Sequence, residues 1–456
     1  MMAGFAIKSN RVLLPDGLQP ATVVVQGELI ESIHPHDFTP PDLPLIDVGH
    51  HSVLPGLVDC HVHINEPGRT EWEGFETATQ AAAAGGICSV VDMPLNCQPV
   101  TTRPEALSLK LEATRGQLWV DMGFWGGVVP DNADALVPLA KDGILGAKAF
   151  LIHSGIDDFP EVNEEQLRAA MVQLKSCGLP LLAHAELDLG APADDLAPIT
   201  YESYLRSRPP EWETRAIELL VNLCRETGCA VHIVHLSAAE ALPTLRAARA
   251  EGLPITVETC PHYLCLEAET IPDRSTSFKC APPIRGKANQ DRLWEGLREG
   301  VIDFIVSDHS PCVPQLKCFD SGNFHDAWGG ISSLQLGISS VWEQAQRRGF
   351  TEIDLVRWMS TGPAEFIGRS GTLGRLAPGY YANMVVWDPE CVFEVTAEHL
   401  LFRHKVSPFI GRRIQGKVLT TYLRGQRIYH EGELAQTPQG VHLLHRETTS
   451  SRRSNT

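Results

Sequence analysis

Short apolar runs alternate with amphipathic stretches through the middle of this chain. The runs Ser89–Asp92, Ala147–Leu151, Leu181–His184, Val231–Leu236, Ile255–Thr259 and Phe304–Ser307 are nearly continuous in hydrophobicity, as strands buried on both faces are. Segments with apolar residues at helical spacing lie among them: Glu164–Lys175, Arg215–Glu226, Ala238–Ala250 and Asn289–Glu299. This alternation predicts βα units and parallel strands, an α/β class. Residues 55–372 suit a (β/α)8 TIM-like barrel of about 250 residues with insertions. A doubly wound open sheet is the rival, but no Gly-x-Gly-x-x-Gly opens a helix.

The two ends have another texture. Phe5–Ile7, Arg11–Leu14, Ala21–Gln26 and Leu29–Ile33 are short strand candidates punctuated by Pro, Gly and Asp, and Met384–Trp387, Val418–Arg424 and Gln426–Tyr429 repeat the pattern. Residues 1–54 and 373–440 are therefore expected to form one small β-sandwich built from both chain ends, flanking the barrel. Residues 441–456 are expected to be a polar, disordered tail.

Composition narrows the function classes. The formal net charge of −18 argues against nucleic acid and against an anionic membrane surface, both of which need a basic face. The twelve cysteines include no Cys-x-x-Cys pair and sit mostly among apolar neighbours, as reduced thiols used for packing do. Met1–Ile7 has no charged segment leading into an apolar run, and no uncharged stretch approaches the roughly 18 residues of a membrane helix. The expected compartment is the cytoplasm, with peroxisome or mitochondrion as alternatives.

Several side chains have chemical potential. In Asp59-Cys60-His61-Val62-His63, positions i and i+2 of a strand share a face, so His61 and His63 point the same way. Paired imidazoles suit a zinc-type ion, although two unrelated histidines would look the same. His184 ends its apolar run, and His235 lies near the end of the next. Regular alternation allows only one of His232 and His235 to face inward, and the position nearer the C-terminal end favours His235. Asp308 follows the run from Phe304; it is either a metal ligand and proton acceptor or a simple cap. Lys148 falls inside a predicted buried strand, where an isolated ammonium is costly. It either snorkels to a partner or has been chemically altered.

Longer segments surround these residues: His61–Arg69, Trp72-Glu73-Gly74, Met93–Asn96, Pro261-His262-Tyr263, Pro282–Arg285, Val306–Cys312, Ala327–Ile331 and Arg403–Pro408. With them the sequence resembles the binuclear amidohydrolase superfamily. Within it, it resembles the cyclic amidohydrolases (dihydroorotases, hydantoinases or dihydropyrimidinases, and allantoinases), the allantoinase branch most of all. The resemblance covers nearly the whole chain.

It implies that Lys148 reacts with CO2 to give an N6-carboxylate bridging two divalent ions of zinc type. His61, His63 and Asp308 would hold one ion, and His184 and His235 the other. Asp308 would be the catalytic proton acceptor and donor. The substrate would be allantoin, opened at its hydantoin amide to allantoate in purine breakdown, and the assembly a homotetramer. Asn65 stands where dihydroorotases carry arginine, and His153 where hydantoinases carry tyrosine. Cys280 lies where relatives offer backbone groups to the imide. These three are candidate substrate contacts. Trp328-Gly329-Gly330 is a lid or an ordinary loop, and Arg69 and Glu73 either support the site or pair with each other. A hydantoinase of broader range stays open as an alternative. A non-catalytic scaffold of the same fold is disfavoured, because all six ligand positions are filled.

Overall fold

The computed structural model describes residues 4–190 and 195–445. The apolar runs of the middle region become short parallel strands buried along almost their whole length. Leu57–Val62, Ile87–Asp92 and Asp121–Phe124 form one sheet in chain order. Gly126–Gly127, Ala147–Phe150, Leu181–His184, Val231–Ile233, Ile255–Thr259 and Phe304–Ile305 form a second, also in chain order. Backbone hydrogen bonds join the two at both margins. Leu145 N donates to Phe124 O at 3.0 Å on one side, and His63 N to His309 O at 2.8 Å on the other. Helices follow the strands, so the loops after the strand ends gather on one rim, where sites of such folds lie.

Local chemistry explains where the elements stop. The helix expected at Arg215–Glu226 extends to Pro210–Thr227, because proline is pre-organised for a first turn and Gly228 takes the left-handed conformation at φ 66° that ends it. The run Val231–Leu236 keeps strand geometry only to Ile233, and Phe304–Ser307 only to Ile305. Beyond those points His235 (φ 38°) and Asp308 (φ 45°) adopt left-handed backbone, sterically unfavourable for side chains with a Cβ. The expected helix Ala238–Ala250 divides into a 3-10 turn at Ala239–Ala241 and a helix at Leu242–Ala250. The alanine-rich helix Phe75–Ala84 gave no amphipathic signal, since most of its residues are buried.

The chain ends meet in one nine-stranded sheet rather than two stacked ones. Ser52–Pro55 pairs antiparallel with Met384–Glu394 and forms the seam between the N-terminal and C-terminal strands. The sheet curls until its hairpin turns touch: a Cβ on Gly425 (φ 75°) would lie 2.5 Å from the Gly27 carbonyl, so only glycine fits there. Ile7, Val12, Val23, Val25, Val53, Met384 and Val386 fill the interior of that curl, separate from the main core. Residues 441–445, expected in the tail, are instead pinned: Leu443 N donates to Met122 O at 2.7 Å and Val441 N to Asp121 Oδ1 at 2.9 Å. The rest of the expected tail, residues 446–456, lies outside the described residues.

Candidate metal centre

His61, within the strand Leu57–Val62, and His63 just beyond it project to one side, with ring centroids 5.4 Å apart. Asp308 reaches them from the turn after Phe304–Ile305. Its Oδ1 lies 3.1 Å from His61 Nε2 and 3.4 Å from His63 Nε2. Ligand atoms of these three residues fall within 4.8 Å of one another, a spacing that can hold an ion. Opposite them, His184 Nδ1 lies 3.0 Å from His235 Nε2, and the His235 ring is 5.4 Å from that of His61. Lys148 stands in the strand Ala147–Phe150, fully buried, and its Nζ has no hydrogen-bond partner. Lys148, His63, His184, His235 and Asp308 line one cavity of about 560 Å³, with His61 behind them. The six positions named from sequence thus come together from five strands.

Burial sets the charge states. It pulls His63 down to about 4, lowers His184, and with the nearby His184 and Lys148 charges holds His235 well below the usual imidazole range. Burial also acts to lower His61, but the carboxylates of Asp308 and Glu258 outweigh it and the net shift is upward. Burial alone would raise Asp308; the neighbouring imidazoles, His61 foremost, hold it well below the carboxylate range. Desolvation brings Lys148 down to about 8 against the pull of Asp308 and Glu258.

A carboxylate, four imidazoles and a fully buried amine without a partner form a donor set whose chemistry fits divalent metal binding. His61, His63 and Asp308 would hold one ion and His184 and His235 the other. Cys260, His262 and Asp308 also lie within 4.8 Å of one another. Burial drives the Cys260 thiol far above its normal range.

Two carboxylates not singled out from sequence orient the imidazoles. Glu258 accepts from His61 Nδ1 in a close ion pair, from His232 Nε2 at 3.0 Å and from the His235 backbone N–H at 3.3 Å. A proton on His61 Nδ1 leaves Nε2 as the free lone pair, facing Asp308. Glu186 accepts from His184 Nε2 at 2.7 Å and from Arg208 Nε at 3.1 Å, which leaves His184 Nδ1 facing His235. Burial would raise both carboxyls, yet their cationic partners bring each down to about 2. His235 lines the cavity and His232 does not, yet the His232 ring also reaches Glu258, because the chain leaves strand geometry after Ile233. A glutamate inside the apolar run Ile255–Thr259 was the same kind of signal as Lys148 and could have been noticed.

The candidate substrate contacts divide. His153 lines the cavity at its exposed edge, with Nε2 3.5 Å from Asp157. Cys280 also lines it; its carbonyl accepts from Tyr204 Oη at 2.7 Å and its thiol turns to Pro282 O. Asn65 is not among the lining residues: its amide donates to Pro311 O at 3.2 Å, and Asn96 forms the wall instead. Arg69 and Glu73 do not pair with each other. Arg69 reaches Asn96 O and Asp158, while fully buried Glu73 accepts from His309 Nε2 and the Arg403 N–H.

Residues 52–428 match the amidohydrolase family, and the chain belongs to it. It is 45% identical to an allantoinase of Streptomyces avermitilis, over 97% of this chain and 98% of that protein. It is 43% identical to an allantoinase of Saccharomyces cerevisiae, over 96% and 98%. Among solved structures, the L-hydantoinase (dihydropyrimidinase) of Arthrobacter aurescens superposes with a TM-score of 0.90 at 26% identity, covering 97% of this chain and 100% of that one.

Proposed function

We propose that this chain acts as an allantoinase, adding water across the hydantoin ring amide of allantoin to give allantoate in purine catabolism. The observation that carries the substrate assignment is 45% identity along almost the full length of a protein of that name. The reaction type is supported by Lys148, buried without a partner beside Asp308 and the four imidazoles.

In this reading the two parallel sheets close into a (β/α)8 barrel. Lys148 is carboxylated on its side-chain nitrogen and, with His61, His63, His184, His235 and Asp308, holds two zinc-type ions. When bound, such ions polarise a carbonyl and acidify a water. The chain's own groups do the rest. Asp308, kept ionised by its imidazole neighbours, accepts the proton of the attacking water and returns it to the departing ring nitrogen. The new C–O bond forms first, the amide C–N bond breaks as its nitrogen takes that proton, and the new carboxylic acid releases its remaining proton to solvent as the carboxylate. His153, Cys280 and Asn96 face the substrate space, and Asn65 fixes the Pro311 turn. Assembly as a homotetramer and residence in the cytoplasm belong to the same proposal; among the described residues no helix is long and apolar enough to cross a membrane.

The test is turnover by purified protein loaded with zinc and bicarbonate, offered allantoin, hydantoin and dihydrouracil side by side. Allantoate formation far above the other two reactions is expected. Protein holding two ions per chain that leaves allantoin untouched would refute the reading, and preference for hydantoin would move it to the hydantoinase branch.

A further inference from the structure

We propose that Lys279 and Lys317 are positioning residues that clamp the backbone of residues 325–330, holding Trp328 as a fixed wall across the cavity mouth. This rests on the reading of that cavity as the substrate site. Lys279 Nζ donates to His325 O at 3.0 Å and Ala327 O at 2.6 Å. Lys317 Nζ donates to Trp328 O at 3.1 Å and closely to Gly330 O. Two ammonium groups, exposed by only 9% and 4%, therefore collect four carbonyls from one six-residue stretch. These carbonyls replace solvation that both buried charges lose.

The stretch is tied further. Trp328 N donates to Leu316 O at 2.7 Å and Gly330 N to Lys279 O at 2.8 Å. A Cβ on Gly330 would lie 2.2 Å from Ser310 O, so the loop rests directly on the backbone two residues beyond Asp308.

Trp328 spans two other loops. Its ring packs edge-on against Trp72 with centroids 4.8 Å apart, and Arg69 covers Trp72 at 5.6 Å while reaching Asp158. On the other side a Cβ on Gly155 would touch the Trp328 ring at 3.4 Å. Ala327, Trp328, Gly329 and Gly330 all line the cavity. The clamp thus fixes the place of the Trp328 indole in the cavity lining, between Trp72 and Gly155.

The experiment combines kinetics with amide hydrogen exchange on the metal-loaded protein. Lys279→Met and Lys317→Met should each raise KM for allantoin roughly tenfold, with kcat within about threefold and two ions per chain retained. Trp328→Ala should raise KM similarly, and adding Lys317→Met to it should do little more, because both act through one wall. In the unsubstituted protein the amides of Trp328 and Gly330 should exchange as slowly as those of Phe304–Ile305, a readout that survives even if a variant fails to fold. Unchanged KM in both lysine variants, fully additive KM effects, or unprotected amides at 328 and 330 would each overturn the clamp. Protein that ignores allantoin but keeps these amides protected would sink the substrate reading alone.

Discussion

The two halves of the donor cluster are built differently. On the His61 side a carboxylate, Asp308, sits among the imidazoles themselves, 3.1 Å and 3.4 Å from two ring nitrogens. On the His184 side two imidazole nitrogens face each other at 3.0 Å, and the carboxylate, Glu186, lies on the far side of the ring. The electrostatics follow. His61 is shifted up despite burial, whereas burial and like charge shift His184 and His235 down. One half carries its own counter-charge; the other needs an anion from elsewhere. In the proposed reading Lys148, whose Nζ has no hydrogen-bond partner, would supply one once carboxylated.

The sharpest way to break this contrast is Lys148→Ala. Activity should fall by about four orders of magnitude, and the ion lost first should be the one at His184 and His235, leaving fewer than two per chain by metal analysis. Small carboxylic acids should restore part of the activity by occupying the vacated space. Full activity in this variant would remove Lys148 from the site. Asp308→Asn should cost roughly 10³-fold in kcat, within the range for a lost acid–base group, while circular dichroism stays unchanged. Wild-type-like turnover there would contradict the proton role.

Smaller effects separate the halves. Glu258→Gln removes the carboxylate charge paired with His61 and should weaken metal affinity about 10- to 100-fold on the Asp308 side, read by chelator competition. Glu186→Gln should cost about tenfold on the other side only. Equal losses from both ions in either variant would show that the halves are not independent. The mildest test is pH. Burial places the Lys148 amine at about 8, so its neutral, CO2-reactive form grows as pH rises through that value. In metal-free protein at constant dissolved CO2, the ¹³C carbamate signal should increase from pH 7 to pH 9; a flat profile would mean the amine is not the titrating partner.

Much of this architecture was legible along the chain. The strands Leu181–His184 and Ile255–Thr259 match their runs residue for residue, and both are buried along almost their whole length. His61 and His63 could be placed together because a period of two is a local property of strands. Lys148 stood out as a charge in an apolar setting. The failures were of another kind. Nothing local distinguished Asn96 from Asn65 at the cavity wall, since the difference is whether a side chain meets Pro311 or open space. That the strands of both chain ends join into one nine-stranded sheet was not legible, because strand texture says nothing about which edges join.

The chain by itself determined the order of strands and helices, the His-x-His pair and the identity of the metal-type donors, all of which depend on neighbours a few positions apart. Only the tertiary structure decided that Glu258 would reach His61 across 197 positions, that Lys279 and Lys317 would gather the carbonyls beneath Trp328, and that His235 and Asp308 would leave strand geometry where they turn inward. Those contacts join segments far apart in sequence, and each is held because burial makes an unpaired charge or carbonyl too costly to leave alone.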